Sequence, residues 1–419
     1  MPASARGASV ARTIRSWGGK LIRRFGLLPA GTPDGLGDDA QLLGRTLTQQ
    51  VVVYFADTVE GMYQLRQWYG PLRELDRRLG VLVIASDSRV ARVIREESDL
   101  EVVTVARYAT LDDLFSRGAV RLALYVNHNP LNFSMLRFSS MAHVSLLHGD
   151  SDKVVSVSNQ AKAYDLSFVA GQAAIDRMTR YIPYFDGAER CVAIGRPQLD
   201  AEAPPAAPAD DDRITVLYAP TWEGAQPTAA YGSLDTLGVE TARRILADDR
   251  LRLVYRPHPL SGVRTPSYGE ADAAVRALLE SEQRTRPEAG HRISIDEDLT
   301  AAFAAAHVLV CDVSAVAMDW LPTRRPLVVT DPRIPGVVTT RTPLLEHVPR
   351  VTADDVDRVA DLLVTEVADD PRRGEREELV TYYLGDTNPG ASMRRFLDAC
   401  DRAIERHDRE VERIRPAGV

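Results

Sequence analysis

Two series of short apolar runs, each run followed by a helical pattern, constrain this chain more than any other feature. Val51-Val52-Val53-Tyr54-Phe55 opens the first series. Val81-Leu82-Val83-Ile84-Ala85, Val102-Val103-Thr104-Val105, Leu122-Ala123-Leu124-Tyr125-Val126 and His143-Val144-Ser145-Leu146-Leu147 continue it. Runs with no polar alternation belong to strands buried on both faces, which a parallel sheet covered by helices provides. Met62 to Leu79, a segment through Val90 and Val93-Ile94, and Leu111 to Phe115 supply those helices. Residues 46–200 therefore predict a doubly wound, Rossmann-like domain.

The alternation stops at residues 201–212, where three prolines, five alanines and four acids leave nothing to pack, so this stretch reads as a linker. It then restarts. Ile214 to Tyr218, Leu251 to Tyr255, Ile293 to Ile295, Val308 to Val310 and Leu327 to Val329 read as strands. Helical patterns near Thr241 to Leu246, Ala271 to Glu282, Leu299 to Ala306 and Val316 to Leu321 lie between them. Residues 213–392 predict a second Rossmann-like domain, and residues 393–419 a C-terminal helix with Met393, Phe396, Leu397, Cys400, Ile404 and Val411 on one face. The fold class is α/β, with two doubly wound domains facing a cleft at the carboxyl ends of their strands.

A length of 419 residues is enough for two such cores. The net charge of −8, without an interleaved basic and aromatic stripe, excludes a general nucleic-acid binder. Cys191, Cys311 and Cys400 are too widely spaced for a metal clamp, and their odd number fits unpaired thiols in a reducing compartment. No apolar run reaches the ~18 residues of a membrane span, and no signal peptide is evident, so a cytoplasmic protein is expected. Residues 1–45 stand apart. Within 1–25, Arg6, Arg12, Arg15, Lys20, Arg23 and Arg24 occur without an acid, and Val10, Ile14, Trp17, Leu21 and Phe25 recur at helical spacing. This segment reads either as peripheral to an anionic membrane surface or as a solubilising tail.

Four strand ends carry polar clusters: His148 to Lys153, Tyr218 to Trp222, Arg256-Pro257-His258-Pro259, and Asp312-Val313-Ser314. Arg256 offers a planar fork suited to two phosphate oxygens, or else a structural ion pair. His258 is held in stiff, extended backbone by its flanking prolines. Ser314 begins a helix where free amides attract an anion, and it serves equally as an ordinary N-cap. Asp312 reads as a brace for the loop or a contact to a sugar hydroxyl. His148 is the candidate general base, because its unperturbed pKa of about 6.5 leaves the neutral ring abundant. Lys153 would offset phosphate charge or stay solvated. Thr221 lies on the cleft edge, and Trp222 reads as core packing. The other histidines, 143, 291, 307, 347 and 407, are set aside as ordinary core or surface residues.

Together these motifs resemble the CDP-glycerol:poly(glycerophosphate) glycerophosphotransferase family of teichoic-acid polymerases and primases, over about residues 50 to 395. Asp319, Pro326 and Tyr383-Leu384-Gly385-Asp386 extend the likeness. The resemblance implies a GT-B architecture and transfer of glycerol phosphate from a CDP-activated donor to a lipid-linked or polymeric acceptor, without metal or cofactor. It makes His148 the base. Arg256, His258, Asp312 and Ser314 hold the donor, with Thr221 and Lys153 beside it. Two features depart from the family's pattern: Ala315 replaces a second serine, and Asp150-Ser151-Asp152 is unusually acidic. A sugar-nucleotide glycosyltransferase of the same fold and a catalytically silent nucleotide-binding protein of envelope assembly are the alternatives.

Overall fold

A computed structural model describes residues 38–105, 107–147, 157–201, 213–223, 232–295, 299–332 and 342–414. Strands β1 (Val51–Phe55), β2 (Val81–Ala85), β3 (Glu101–Thr104), β4 (Leu122–Tyr125), β5 (Ala142–Ser145), β6 (Leu166–Val169) and β7 (Cys191–Ala193) form one sheet in the order β3-β2-β1-β4-β5-β6-β7. Every pairing in it is parallel. Strands β8 (Ile214–Ala219), β9 (Leu251–Tyr255), β10 (Arg292–Ile293), β11 (Val308–Cys311), β12 (Leu327–Thr330) and β13 (Arg350–Val351) form the second, in the order β10-β9-β8-β11-β12-β13. It is parallel throughout as well. The apolar runs are buried on both faces, as their lack of alternation requires.

Three strands escape the sequence reading, β6, β7 and β13. Ser167 interrupts the apolar run of β6, and β7 and β13 are short edge strands with exposed positions. The helix expected from Met62 to Leu79 is two helices, Met62–Arg66 and Tyr69–Leu79. Pro71 explains the break. It has no N–H to offer the Gln67 carbonyl and is tolerated only in a first turn, so the helix restarts just before it.

The two domains meet along a defined seam. The turn from β6 into the Gln172–Tyr181 helix abuts the end of the Arg373–Leu384 helix so closely that a Cβ at Gly171 would collide with the Tyr383 carbonyl. The Tyr382 hydroxyl donates to Asp176 at 2.7 Å. Ala170 and Ala173 share an apolar cluster with Val313, Ala317 and Leu384. The C-terminal helix, Ala391–Ile414, crosses back and packs Phe396, Ala399, Cys400, Ala403 and Ile404 into the N-terminal core. All three cysteines are buried thiols. Among the described residues no helix is long and apolar enough to cross a membrane.

Phe396 is fully buried against Trp68, with ring centroids 5.5 Å apart. Phe396→Ala is expected to destabilise the N-terminal domain by about 3–5 kcal/mol. Chemical denaturation followed by Trp68 fluorescence measures this; an unchanged midpoint would show that the helix contributes nothing to that core.

Candidate functional site

The second sheet reverses its winding between β8 and β11, and the crevice outside their carboxyl ends is where open parallel sheets hold ligands. A buried carboxylate organises that crevice. Asp312, directly after β11, has no exposed surface. Its Oδ2 accepts the Thr221 N–H at 2.7 Å, and its Oδ1 accepts the Thr330 hydroxyl at 2.6 Å. One side chain thus ties together the ends of β8, β11 and β12. This moves Asp312 from donor contact to brace, because both oxygens are engaged within the protein and neither faces solvent. Thr221 contributes its backbone amide to the same tie.

Ser314 begins the Ala315–Trp320 helix in extended backbone, at φ −151° and ψ 171°. Its side chain makes no capping bond. Although the residue is buried, Oγ has no hydrogen-bond partner, so the ordinary N-cap role is unfilled and the hydroxyl is left for a ligand.

Arg256 leaves β9 with its N–H on the Tyr218 carbonyl at 2.9 Å and Nη1 donating to Ser294 Oγ at 3.2 Å. This half-buried guanidinium is therefore steered from β10. His258 stacks its ring on Trp222, with centroids 6.0 Å apart and planes 16° apart. Trp222 is thus half-buried at the crevice and not a core residue. His258 Nδ1 accepts the Leu260 N–H at 3.1 Å, which places the ring proton on Nε2 and makes that nitrogen a donor.

Glu223 is the residue the sequence reading missed. Its buried carboxylate accepts three backbone N–H groups, from Arg264 at 2.7 Å, Thr265 at 3.0 Å and Gly262 at 3.1 Å. Burial pushes the carboxyl up, but the three N–H groups together outweigh it and hold it below the usual carboxylate range. The loop after β9, which carries His258, is thereby fastened to the loop after β8. A lone acid following Trp222 was the available signal, but its partners are backbone amides 39–42 residues away.

Of the expected site residues, Thr221, Arg256, His258, Asp312 and Ser314 gather at the carboxyl ends of β8, β9 and β11. His148 and Lys153 lie outside the described residues, as do Asp150 to Asp152, the basic residues 1–25 and most of the 201–212 linker. The histidines set aside have backbone work where described. His291 and His307 accept the N–H groups of Leu253 and Thr215, each at 3.0 Å. His143 sits buried between the Tyr125 hydroxyl and the Phe138 carbonyl. No group of three or more His, Cys, Asp or Glu side chains among the described residues is placed to hold a metal ion.

Residues 152–341 match the model of the CDP-glycerol:poly(glycerophosphate) glycerophosphotransferase family, a narrower span than residues 50 to 395. The chain also resembles solved structures. The wall teichoic acid polymerase TagF, in a crystal soaked with CDPG, aligns over 94% of this chain and 96% of that one, at 13% identity and a TM-score of 0.54. A glycosyltransferase from Rickettsia africae ESF-5 aligns over 85% and 99%, at 11% identity and 0.53. A UDP-N-acetylglucosamine 2-epimerase aligns over 85% and 96%, at 14% identity and 0.51. No curated protein matches in sequence. At these identities the structures establish the fold, two Rossmann-like domains in a GT-B-like arrangement.

Glu223→Gln removes the charge from the amide cradle, and a loss of about 1.5–3 kcal/mol at pH 7 is expected. A depressed folded pKa stabilises fully above the unfolded value of about 4.3 and loses that contribution as pH falls through the folded value. The stability gap between wild type and Glu223→Gln, measured by urea denaturation, should therefore close as pH drops below about 4. A gap that stays constant with pH would contradict a charged Glu223.

Proposed function

We propose, with the family match over residues 152–341 as premise, that this protein transfers an alditol phosphate from a CDP-activated donor to an acceptor hydroxyl, releasing CMP. Glycerol phosphate is the first candidate for the transferred group, and a lipid-linked or polymeric molecule for the acceptor. The observation that carries this reading is the crevice at β8 and β11. There the Asp312 tie holds an amide-rich turn and an unpartnered Ser314 hydroxyl in the same row of strand ends as Arg256 and the Nε2 donor of His258.

Each group has a distinct task. Arg256 and the 312–314 turn hold the diphosphate, with the Ser314 hydroxyl donating to one of its oxygens. In the reaction the acceptor oxygen bonds to the distal phosphorus, the bond from that phosphorus to the bridging oxygen breaks, and CMP departs with the electron pair. His148 takes the acceptor proton. Negative charge grows on the departing phosphate, and His258 Nε2–H donates towards it. The Trp222 stack and the Leu260 N–H fix the plane of the ring, so the donor needs no reorientation as the charge develops. Lys153, next to the base in sequence, lies where a cation would offset the phosphate charge.

Purified full-length protein should release CMP from CDP-glycerol when membrane extract supplies the acceptor, with CDP-ribitol and UDP-sugars run in parallel. Release of UDP alone would replace this reading with a sugar-nucleotide glycosyltransferase. His258→Ala is expected to lower kcat by about 10²–10³-fold with the donor still bound. His148→Ala should abolish turnover while sparing donor affinity, and full activity in that variant would remove the base assigned here.

For residues 1–25, the proposed role is attachment to an anionic membrane surface. Their deletion should reduce co-flotation with liposomes containing phosphatidylglycerol. Equal flotation of both proteins would leave them a solubilising tail.

A further inference from the structure

Arg196 stands where the two domains meet, and most of its hydrogen-bonding capacity is unspent. It follows Gly195, which sits at φ 78° with its N–H on the Ala170 carbonyl at 2.9 Å. A Cβ at Gly195 would collide with Ser392 and Arg395 at the start of the C-terminal helix, and Pro197 opens the next short helix. The backbone is thus fixed on both sides of Arg196. Its side chain, 11% exposed, brings Nη2 within 2.6 Å of Asp319 Oδ1, on the helix that Ser314 begins. That approach is an ion pair without the alignment of a hydrogen bond. Arg196 Nε and Nη1, Asp319 Oδ1 and Gln198 Oε1 are all buried, and none has a hydrogen-bond partner.

Arg196 and Gln198 line one small cavity of about 30 Å³, together with Leu146, Leu147 and Gly195. Leu147 immediately precedes His148 in the chain. Buried polar groups in native proteins are almost always paired, so a cluster of orphans around one cavity indicates a missing partner. The chemistry of that partner can be read from the set. Arg196 and Asp319 cancel in charge, which disfavours an anion. Two unpaired donors and two unpaired acceptors call for groups that both accept and donate, and hydroxyls do both. The volume holds about one or two oxygen-sized groups.

We propose that this cavity is the acceptor subsite and that it recognises a neutral polyol end. One hydroxyl accepts from Arg196 and donates to Gln198 Oε1. Its neighbour accepts the remaining Arg196 N–H and donates to Asp319 Oδ1. The inference rests on the transferase reading above and deepens it: the acceptor class is a chain ending in vicinal hydroxyls, presented beside residue 148. Because Asp319 belongs to the donor domain, the subsite is complete only when both domains contribute.

The test uses full-length protein and glycerophosphoglycerol, which ends in a diol, with an analogue ending in a single primary hydroxyl as comparison. Binding is measured by calorimetry and transfer by CMP release. Wild type should favour the diol at least tenfold in KM. Arg196→Ala and Gln198→Leu should raise the diol KM tenfold or more and erase the preference, with the Kd for CDP-glycerol changed less than twofold. Gln198→Leu keeps the ion pair between the domains and so separates recognition from folding. A preference that persists in both variants overturns the proposal. A loss of CDP-glycerol affinity instead of diol affinity overturns it too, because the cavity would then hold the donor's own alditol. The calorimetric arm is independent of turnover. Diol binding that requires Arg196 and Gln198 supports the subsite even if no CMP is released, which would count only against the transferase reading. Diol binding equal in all three proteins refutes the subsite even if transfer proceeds.

Discussion

The Asp312 carboxylate sits without solvent among three parallel strand ends and survives there because its oxygens receive a backbone N–H and a hydroxyl. The geometry of the crevice descends from that arrangement. By holding Thr221, Asp312 sets where the chain leaves β8, and hence where Trp222 and Glu223 emerge. Glu223 then repeats the device one loop further out, gripping the amides of 262–265, while Trp222 supplies the surface on which His258 lies. Two buried anions, arranged in series, convert a set of strand-end loops into a fixed array of donors. Rigidity of this kind is what electrostatic stabilisation of a developing charge requires.

The seam between the domains follows another logic. It is made of close backbone approach at Gly171, a tyrosine–aspartate hydrogen bond, and one ion pair between Arg196 and Asp319. Few apolar side chains from the first domain enter it; Ala170 and Ala173 are the small residues that do. A seam of small residues and polar pairs positions the two lobes without fusing their cores. It also places groups from both lobes within reach of one ligand.

The architecture was legible in the sequence wherever an apolar run was long and unbroken. β1, β2 and β9 were found to the residue, since nothing but a doubly covered strand suits Val51 to Phe55 or Val81 to Ala85. β6 was lost because Ser167, a buried polar residue, breaks the pattern, and β13 because two residues carry no period. In the site, Arg256, His258, Asp312 and Ser314 could be singled out because chain-local cues mark them: flanking prolines, or polarity straight after a strand. Their partners could not. Thr330 reaches Asp312 across 18 residues and Ser294 reaches Arg256 across 38, and such pairings exist only once the sheet has formed. Asp312 was therefore recognised as important but given a ligand's contact, when its neighbours consume both of its oxygens.

The helix Ala391–Ile414 closes the core of a domain whose strands end some two hundred residues earlier, at Ala193. During synthesis the first sheet must wait, with the face that receives Phe396 and Cys400 still bare, while the entire second domain emerges from the ribosome. The second domain needs no such late arrival, as its sheet is built from one continuous stretch. Assembly therefore runs against the order of translation: the lobe made second can mature first, and the lobe made first is sealed by the last helix of the chain.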